Sequence, residues 1–228
     1  MHFAIRAFPE ILSAAPMTLF LSVISTLIGI LFAALIAFLR IKKIPVLNEL
    51  SVVFVSMIRG TPILVQLFVV YYGLPEFLSY LQTKGFALSA NGLPHLLIAI
   101  IAFTFNASAY LSEVFRSAYR SVDSGQMEAA LSVGMNGFQA LIRIIIPQAL
   151  TAAIPNFSNV FIELLKDTSL AYNIEVVELM AKSNVVAALG LNYLEAYVDA
   201  LIIYLVICFL FSQFFHLLEL RFKKYTTI

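Results

Sequence analysis

Five stretches of the chain carry no charged residue: Ile11 to Leu39, Gly60 to Pro75, Gly85 to Ser112, Ile144 to Ile162 and Ala200 to Leu218. At about 1.5 Å of rise per residue, roughly 20 residues cross the hydrocarbon core of a bilayer, and each stretch with its flanks meets that length. The pattern predicts an all-α integral membrane protein with five transmembrane helices, at about 14–39, 50–81, 94–115, 144–165 and 197–219, forming a single domain over 1–228. The first stretch is longer than the apolar core of a signal peptide and has no small-residue cleavage site, which predicts an uncleaved anchor. The second span exceeds one perpendicular crossing, and Gly60 with Pro62 marks where it bends or breaks.

Between the third and fourth spans the pattern changes. Asp123-Ser124-Gly125-Gln126-Met127-Glu128-Ala129-Ala130, then Gly134, then Asn136-Gly137-Phe138-Gln139 form a polar segment, at about 122–140, that cannot lie against lipid. Its spacing predicts two short helices. Asp123 caps the first with Gln126 reaching back to the cap, and Asn136 with Gln139 repeats the arrangement for the second. Gly134 suits the turn between them, where a positive φ costs least without a Cβ. Met127, Leu131, Gly134, Met135 and Phe138 recur at three- and four-residue steps and make an apolar face, with Glu128 and Ser132 on the other. Such a hairpin is either a docking surface or a loop packed on its own helices.

Composition agrees with a membrane protein: 61% of residues are hydrophobic and 12% charged, against about 45–50% and 25% in soluble domains. A formal net charge of +1 argues against a nucleic-acid surface. The single cysteine, Cys208, excludes an internal disulfide and reads as packing. His2, His95 and His216 are isolated and lack metal-ligand spacing, so neither a metal nor another cofactor is expected. Tyr71-Tyr72 and the tyrosines from Tyr193 to Tyr204 read as interfacial belts. The distribution of basic residues is more telling than their sum. Arg40, Lys42 and Lys43 follow span one; Arg116, Arg120 and Arg143 surround the hairpin; Arg221, Lys223 and Lys224 follow span five. All nine fall on one side, whereas the other has Arg6, Lys84, Lys166 and Lys182, with Arg59 ambiguous. The positive-inside rule then sets the N-terminus outside, and the hairpin and C-terminus in the cytosol.

Two clusters carry candidate chemistry within the spans. Glu163-Leu164-Leu165-Lys166-Asp167-Thr168 puts three ionisable groups at the outer membrane boundary, where such groups are rare and point to function. A zwitterionic amino acid needs a cation or helix N-terminus for its carboxylate and anions for its ammonium; Lys166 with Glu163 and Asp167 supplies both. The alternative is a Glu163 and Lys166 pair, three apart, tying the span end together. At Arg59-Gly60-Thr61-Pro62, a broken helix frees N–H groups and the Thr61 hydroxyl for an anionic group, or else the chain only kinks and Arg59 snorkels. Asn106, Ser108 and Tyr110 add polar groups to span three, as ligands or as helix-packing contacts.

Several motifs together are specific. Glu128-Ala129-Ala130, three residues, Gly134, nine residues, then Ile144-x-Ile146-Pro147 resembles the EAA signature of permease subunits of bacterial ABC importers, with Ile146 where that pattern usually has Leu. Arg59-Gly60-Thr61-Pro62, Tyr71-Tyr72-Gly73-Leu74-Pro75, Ser108-Ala109-Tyr110 through Arg116, Pro147-Gln148-Ala149 and Lys166-Asp167-Thr168-Ser169-Leu170 resemble the polar amino acid uptake branch over roughly residues 16 to 220, closest to its cystine-type group. The resemblance implies a type I importer permease in the bacterial cytoplasmic (inner) membrane. It implies ATP-binding cassette ATPase subunits, a second permease, identical or related, and an extracytoplasmic amino-acid-binding protein as partners. It also makes Gln126 to Phe138 the coupling helix, with Gln126, Met127, Glu128, Ala129, Ala130, Leu131, Gly134 and Met135 serving the ATPase. The chain itself has no G-x-x-x-x-G-K-[ST] loop to cradle a nucleotide and no nucleophile and base pair, so it is not expected to be an enzyme. The competing function is an ion-gradient-driven transporter or channel, against which stand five spans without a visible inverted repeat.

Overall fold

The computed structural model describes residues 2–86 and 92–223; Lys224, counted above among the basic residues after span five, lies outside them. The described residues are helical with short connections: α1 (His2–Leu12), α2 (Ala15–Ile41), α3 (Leu47–Arg59), α4 (Ile63–Thr83), α5 (His95–Ser121), α6 (Ser124–Ser132), α7 (Gly137–Ala140), α8 (Ile146–Asp167), α9 (Leu179–Gly190) and α10 (Tyr193–Lys223). A π-helical segment, Leu141–Ile145, leads into α8, and a 3₁₀ segment, Thr168–Ile174, follows it. Among the described residues, five segments are long and apolar enough to cross a membrane: Phe3–Ile41, Ile63–Thr83, His95–Ser121, Gly137–Ile174 and Tyr193–Lys223. The hairpin of α6 and α7 marks one end of the bundle. Two helices go beyond the sequence reading: α1 and α9, both too short to cross, pack through Ala7, Ile11, Leu179, Val186 and Ala187 against Ala196 and Ile203 of α10.

The most extensive packing joins α2 to α5. Small residues explain it: Ser22, Ser25, Thr26, Gly29 and Ala33 are buried on α2, and Ala99, Ala102 and Ala107 on α5. A Cβ at Gly29 would come within 2.8 Å of the Ala107 Cβ, so only glycine permits this approach. In lipid, where burial of apolar surface gives helices little reason to associate, such close van der Waals packing is the main source of helix cohesion. Leu21, Leu67, Phe103 and Leu111 fill the centre. Large apolar side chains point outward instead, among them Leu27, Leu31 and Leu35 on α2 and Leu201, Leu205 and Phe209 on α10. In water these would be an aggregation surface; in a bilayer they are the solvated one.

The second span is divided. α3 stops at Arg59, Pro62 is extended (φ −63°, ψ 136°), and α4 restarts at Ile63. Gly60 sits against the preceding turn, where a Cβ would meet the Ser56 carbonyl oxygen at 2.8 Å. Pro62 has no N–H for the Ile58 carbonyl four residues back. The Gln66 side chain replaces that donor: its Nε2 lies 2.7 Å from Ile58 O and 2.9 Å from Thr61 O. The Thr61 hydroxyl donates to Met57 O at 2.8 Å. A second proline effect opens α8. Pro147 follows a turn in which the Ile146 N–H bonds the carbonyl of Leu141, five residues back, so the helix widens where the proline cannot donate.

Candidate functional site

The helix interruption faces a cavity of about 220 Å³ lined by Thr61, Pro62 and Ile63, by Asn106 and Tyr110 of α5, and by Val160, Glu163, Leu164 and Asp167 of α8. The 13 residues of α3 separate the interruption from the start of that helix by about 20 Å. Glu163 and Asp167 are four residues apart and so share one face of α8. Two carboxylates and no cation line this space, alongside the first turn of α4, whose cap position offers no side-chain hydrogen bond. The cavity therefore combines an anionic wall with uncapped backbone N–H groups.

The remaining groups hold the walls. Asn106 Nδ2 donates to Gln66 Oε1 at 3.1 Å, tying α5 to the interruption, while Gln66 Nε2 bridges the broken turn. Gln66 was not singled out from the sequence. The available signal was a glutamine four residues after a proline in the apolar first half of a helix. The Arg59 guanidinium lies 5.4 Å from the centroid of the Tyr110 ring and is exposed. It lies beside the cavity, behind the ring it covers, and is not one of the residues that line it.

Lys166 and Thr168 part from this group. Lys166 lines a separate cavity between α8, α9 and α10, and among the described residues no ion pair joins it to Glu163 or Asp167. At about 100° of rotation per residue its Cα is turned about 60° from that of Glu163 and 100° from that of Asp167, enough to cross to the neighbouring groove. Thr168 is fully buried and its hydroxyl donates to Leu165 O at 2.6 Å, so it offers nothing to the cavity. Of the eight in-span candidates, Thr61, Asn106, Tyr110, Glu163 and Asp167 are brought together; Arg59 is adjacent, and Lys166 and Thr168 are elsewhere.

The hairpin is built from short-range interactions. Asp123 caps α6 by accepting from Gly125 N–H at 2.7 Å. The Gln126 side chain does not return to that cap; its Oε1 accepts from Gln148 Nε2 at 3.3 Å, joining α6 to the start of α8. The second cap is a complete box, with Gln139 N–H donating to Asn136 Oδ1 at 2.9 Å and Asn136 N–H to Gln139 Oε1 at 3.1 Å. Gly134 turns between the helices at φ +84°, where a Cβ would be strained. Ala130 and Ala140 are buried and anchor the hairpin, and Met127 and Met135 are half-buried. The apolar side chains left outward are Leu131, Val133 and Phe138, the last two 76% and 71% exposed. Glu128 and Ala129 are also exposed, and the Glu128 carboxylate has no partner among the described residues.

Just above the hairpin, Glu113 of α5 accepts from Arg40 at the end of α2 and from Arg116, whose Nε and Nη2 lie 3.0 and 2.5 Å from Glu113 Oε2. Charge counting gave these arginines a topological role only; paired with Glu113, they tie the ends of α2 and α5 together immediately before the hairpin.

Residues 25–224 match the family described as "Binding-protein-dependent transport system inner membrane component". Over 223 residues the chain is 43% identical to the "Probable amino-acid permease protein YxeN" of Bacillus subtilis (strain 168), covering 98% of this chain and 96% of the relative. It is 37% identical over 219 residues to the "L-cystine transport system permease protein TcyL" of the same organism, covering 96% and 90%. A chain in the crystal structure of an amino acid ABC transporter with histidines superposes with a TM-score of 0.82 at 32% identity, over 95% of this chain and 96% of that one. A chain of the MetNI methionine ABC transporter, inward facing, shares the fold with a TM-score of 0.68 at 17% identity, over 97% of each chain. Permeases of such importers are multi-pass membrane proteins that work with separate ATPase and substrate-binding partners. The interrupted helix, the capped hairpin and the five spans of this chain thus belong to the binding-protein-dependent transport system inner membrane component family, as the permease subunit of an ATP-driven importer.

Proposed function

We propose that this permease carries a polar amino acid inward across the bacterial cytoplasmic membrane, with its N-terminus outside and its hairpin and C-terminus in the cytosol. The observation that carries the reading is the cavity at the interruption, where Glu163 and Asp167 lie opposite the first turn of α4. The carboxylates suit the ammonium group of the cargo and the α4 N–H groups its carboxylate, with Asn106 and Tyr110 orienting it. Lys166, facing another groove, has no part in this binding. Relatives named as amino-acid and L-cystine permeases support the class, and L-cystine is the first cargo to test.

The hairpin is the coupling element. Leu131, Val133 and Phe138 give an ATPase groove an apolar ridge, and the open Glu128 carboxylate awaits a basic partner. Closure of two ATPase subunits then moves the helices of two permeases as rigid bodies, exposing the cavity alternately to the two sides. An extracytoplasmic binding protein delivers the cargo. Reconstitution in proteoliposomes with the ATPase and binding protein tests this: uptake of labelled L-cystine or another polar amino acid is expected to require both partners and ATP. Uptake that persists without ATPase and ATP, driven by a proton or sodium gradient, would overturn it.

A further inference from the structure

The cavity that takes Lys166, about 320 Å³, is larger than the one at the interruption, and it opens on the outer surface of the bundle. Its walls are Lys166 and Ser169 from the end of α8 and the segment after it, and Tyr197, Ala200, Leu201 and Tyr204 from α10. The two hydrogen-bonding phenols are already committed: Tyr197 donates to Asn184 Oδ1 at 2.7 Å and Tyr204 to Glu178 Oε2 at 2.9 Å. The donors left over are the exposed Lys166 ammonium and the Ser169 hydroxyl, neither with a hydrogen-bond or ion-pair partner among the described residues.

Depth fixes what such a donor pair can meet. Leu201 lies eight residues into α10, about 12 Å below its start at the end opposite the hairpin, so Lys166 lies near the polar boundary of that leaflet. Asp167 acts on this ammonium through space without forming an ion pair with it, so the ammonium is open to a contacting anion, and a bilayer supplies one in the lipid phosphate. The surface below is shaped to match. Leu201, Leu205 and Phe209, each at least 58% exposed, recur every four residues and form a stripe running from the cavity toward the bilayer centre, the direction an acyl chain must take. Glu163 and Asp167 line the other cavity, so this opening offers an amino acid cargo no paired carboxylates for its ammonium.

We propose that Lys166 and Ser169 bind the phosphate of an anionic phospholipid in the leaflet away from the hairpin, with one acyl chain laid on the Leu201, Leu205 and Phe209 stripe. The site depends only on the chain's spanning a membrane, so it stands or falls separately from the cargo reading. The test is native mass spectrometry of the assembled transporter, purified with its ATPase and equilibrated with equal phosphatidylglycerol and phosphatidylcholine. Wild type is expected to retain phosphatidylglycerol about fivefold over phosphatidylcholine, the ratio one lysine near an anionic surface supplies. Lys166→Met is expected to bring the ratio near one and Lys166→Arg to keep it. Leu201→Trp, which fills the cavity while leaving the ammonium, is expected to lower retention, and it carries the test should Lys166→Met fail to assemble. Equal retention of the two lipids by wild type, an unchanged ratio in Lys166→Met, or displacement of the lipid by inorganic phosphate would overturn the proposal. So would efficient oxidative cross-linking between copies through Leu201→Cys in a Cys208→Ala background, which would make a second copy the occupant.

Discussion

The hairpin and the cavity at the helix interruption solve opposite problems with the same small set of polar residues. In the hairpin, capping and turn residues satisfy backbone groups within a few positions of themselves, which leaves Leu131, Val133, Phe138 and Glu128 with nothing to do inside the chain. In the cavity, the polar groups come from three separate helices and are held by long-range contacts, such as Asn106 on Gln66 and Arg59 over Tyr110. One region is closed on itself over a few residues; the other is assembled across helices. Both are what the proposed coupling calls for: force entering at the hairpin would change the relation between α4, α5 and α8 without unfolding any of them.

That contrast predicts how substitutions sort. The largest effect is expected from Phe138→Asp, which puts a charge at the centre of the proposed docking ridge: a loss of about 2 kcal/mol or more of ATPase binding, roughly 30-fold, in a pull-down of ATPase by membranes, with the permease still inserted. Normal ATPase retention would remove the ridge from the coupling role. Next, Glu163→Gln combined with Asp167→Asn is expected to cut amino acid uptake at least about tenfold while ATPase binding stays at wild type, since paired carboxylates contribute in the charge-assisted range. Uptake and ATPase binding lost together would merge the two regions that the comparison separates.

Smaller effects probe the supports. Gln66→Leu leaves the Ile58 and Thr61 carbonyls and the Asn106 amide without their side-chain partner, and is expected to cost about 1–3 kcal/mol in thermal unfolding. Uptake is expected to fall severalfold in the same variant; an unchanged melting temperature would show that another donor serves the interruption. Gln126→Ala removes only the exposed 3.3 Å contact to Gln148, and a change within about 0.5 kcal/mol is expected. A larger loss would mean that the hairpin leans on α8 more than its own caps imply.

How much of this was legible in the sequence follows the same division. The five spans, the capped second helix of the hairpin, the positive φ at Gly134 and the weak point at Gly60 and Pro62 were all readable, because each depends on residues no more than a few positions apart. The first cap was misread at Gln126 because its lateral partner, Gln148, is 22 residues away. Glu163 and Asp167 were readable as neighbours from their spacing, but the side of α8 taken by Lys166 was not. The α1 and α9 packing against α10 was likewise missed, since neither helix is long enough to announce itself as a span.

By itself, then, the sequence determined what is local and periodic: which segments cross the membrane, where backbone donors run out, and which turn bends backwards. Tertiary structure decided what depends on the rotation of each helix about its own axis and on close approach. The pairing of Gly29 with Ala107, the reach of Gln66 across a broken turn, and the parting of Lys166 from the two carboxylates all come from neighbouring helices. In a chain whose outward-facing residues are as apolar as much of its core, hydrophobic periodicity carries little information about that rotation, and only packing supplies it.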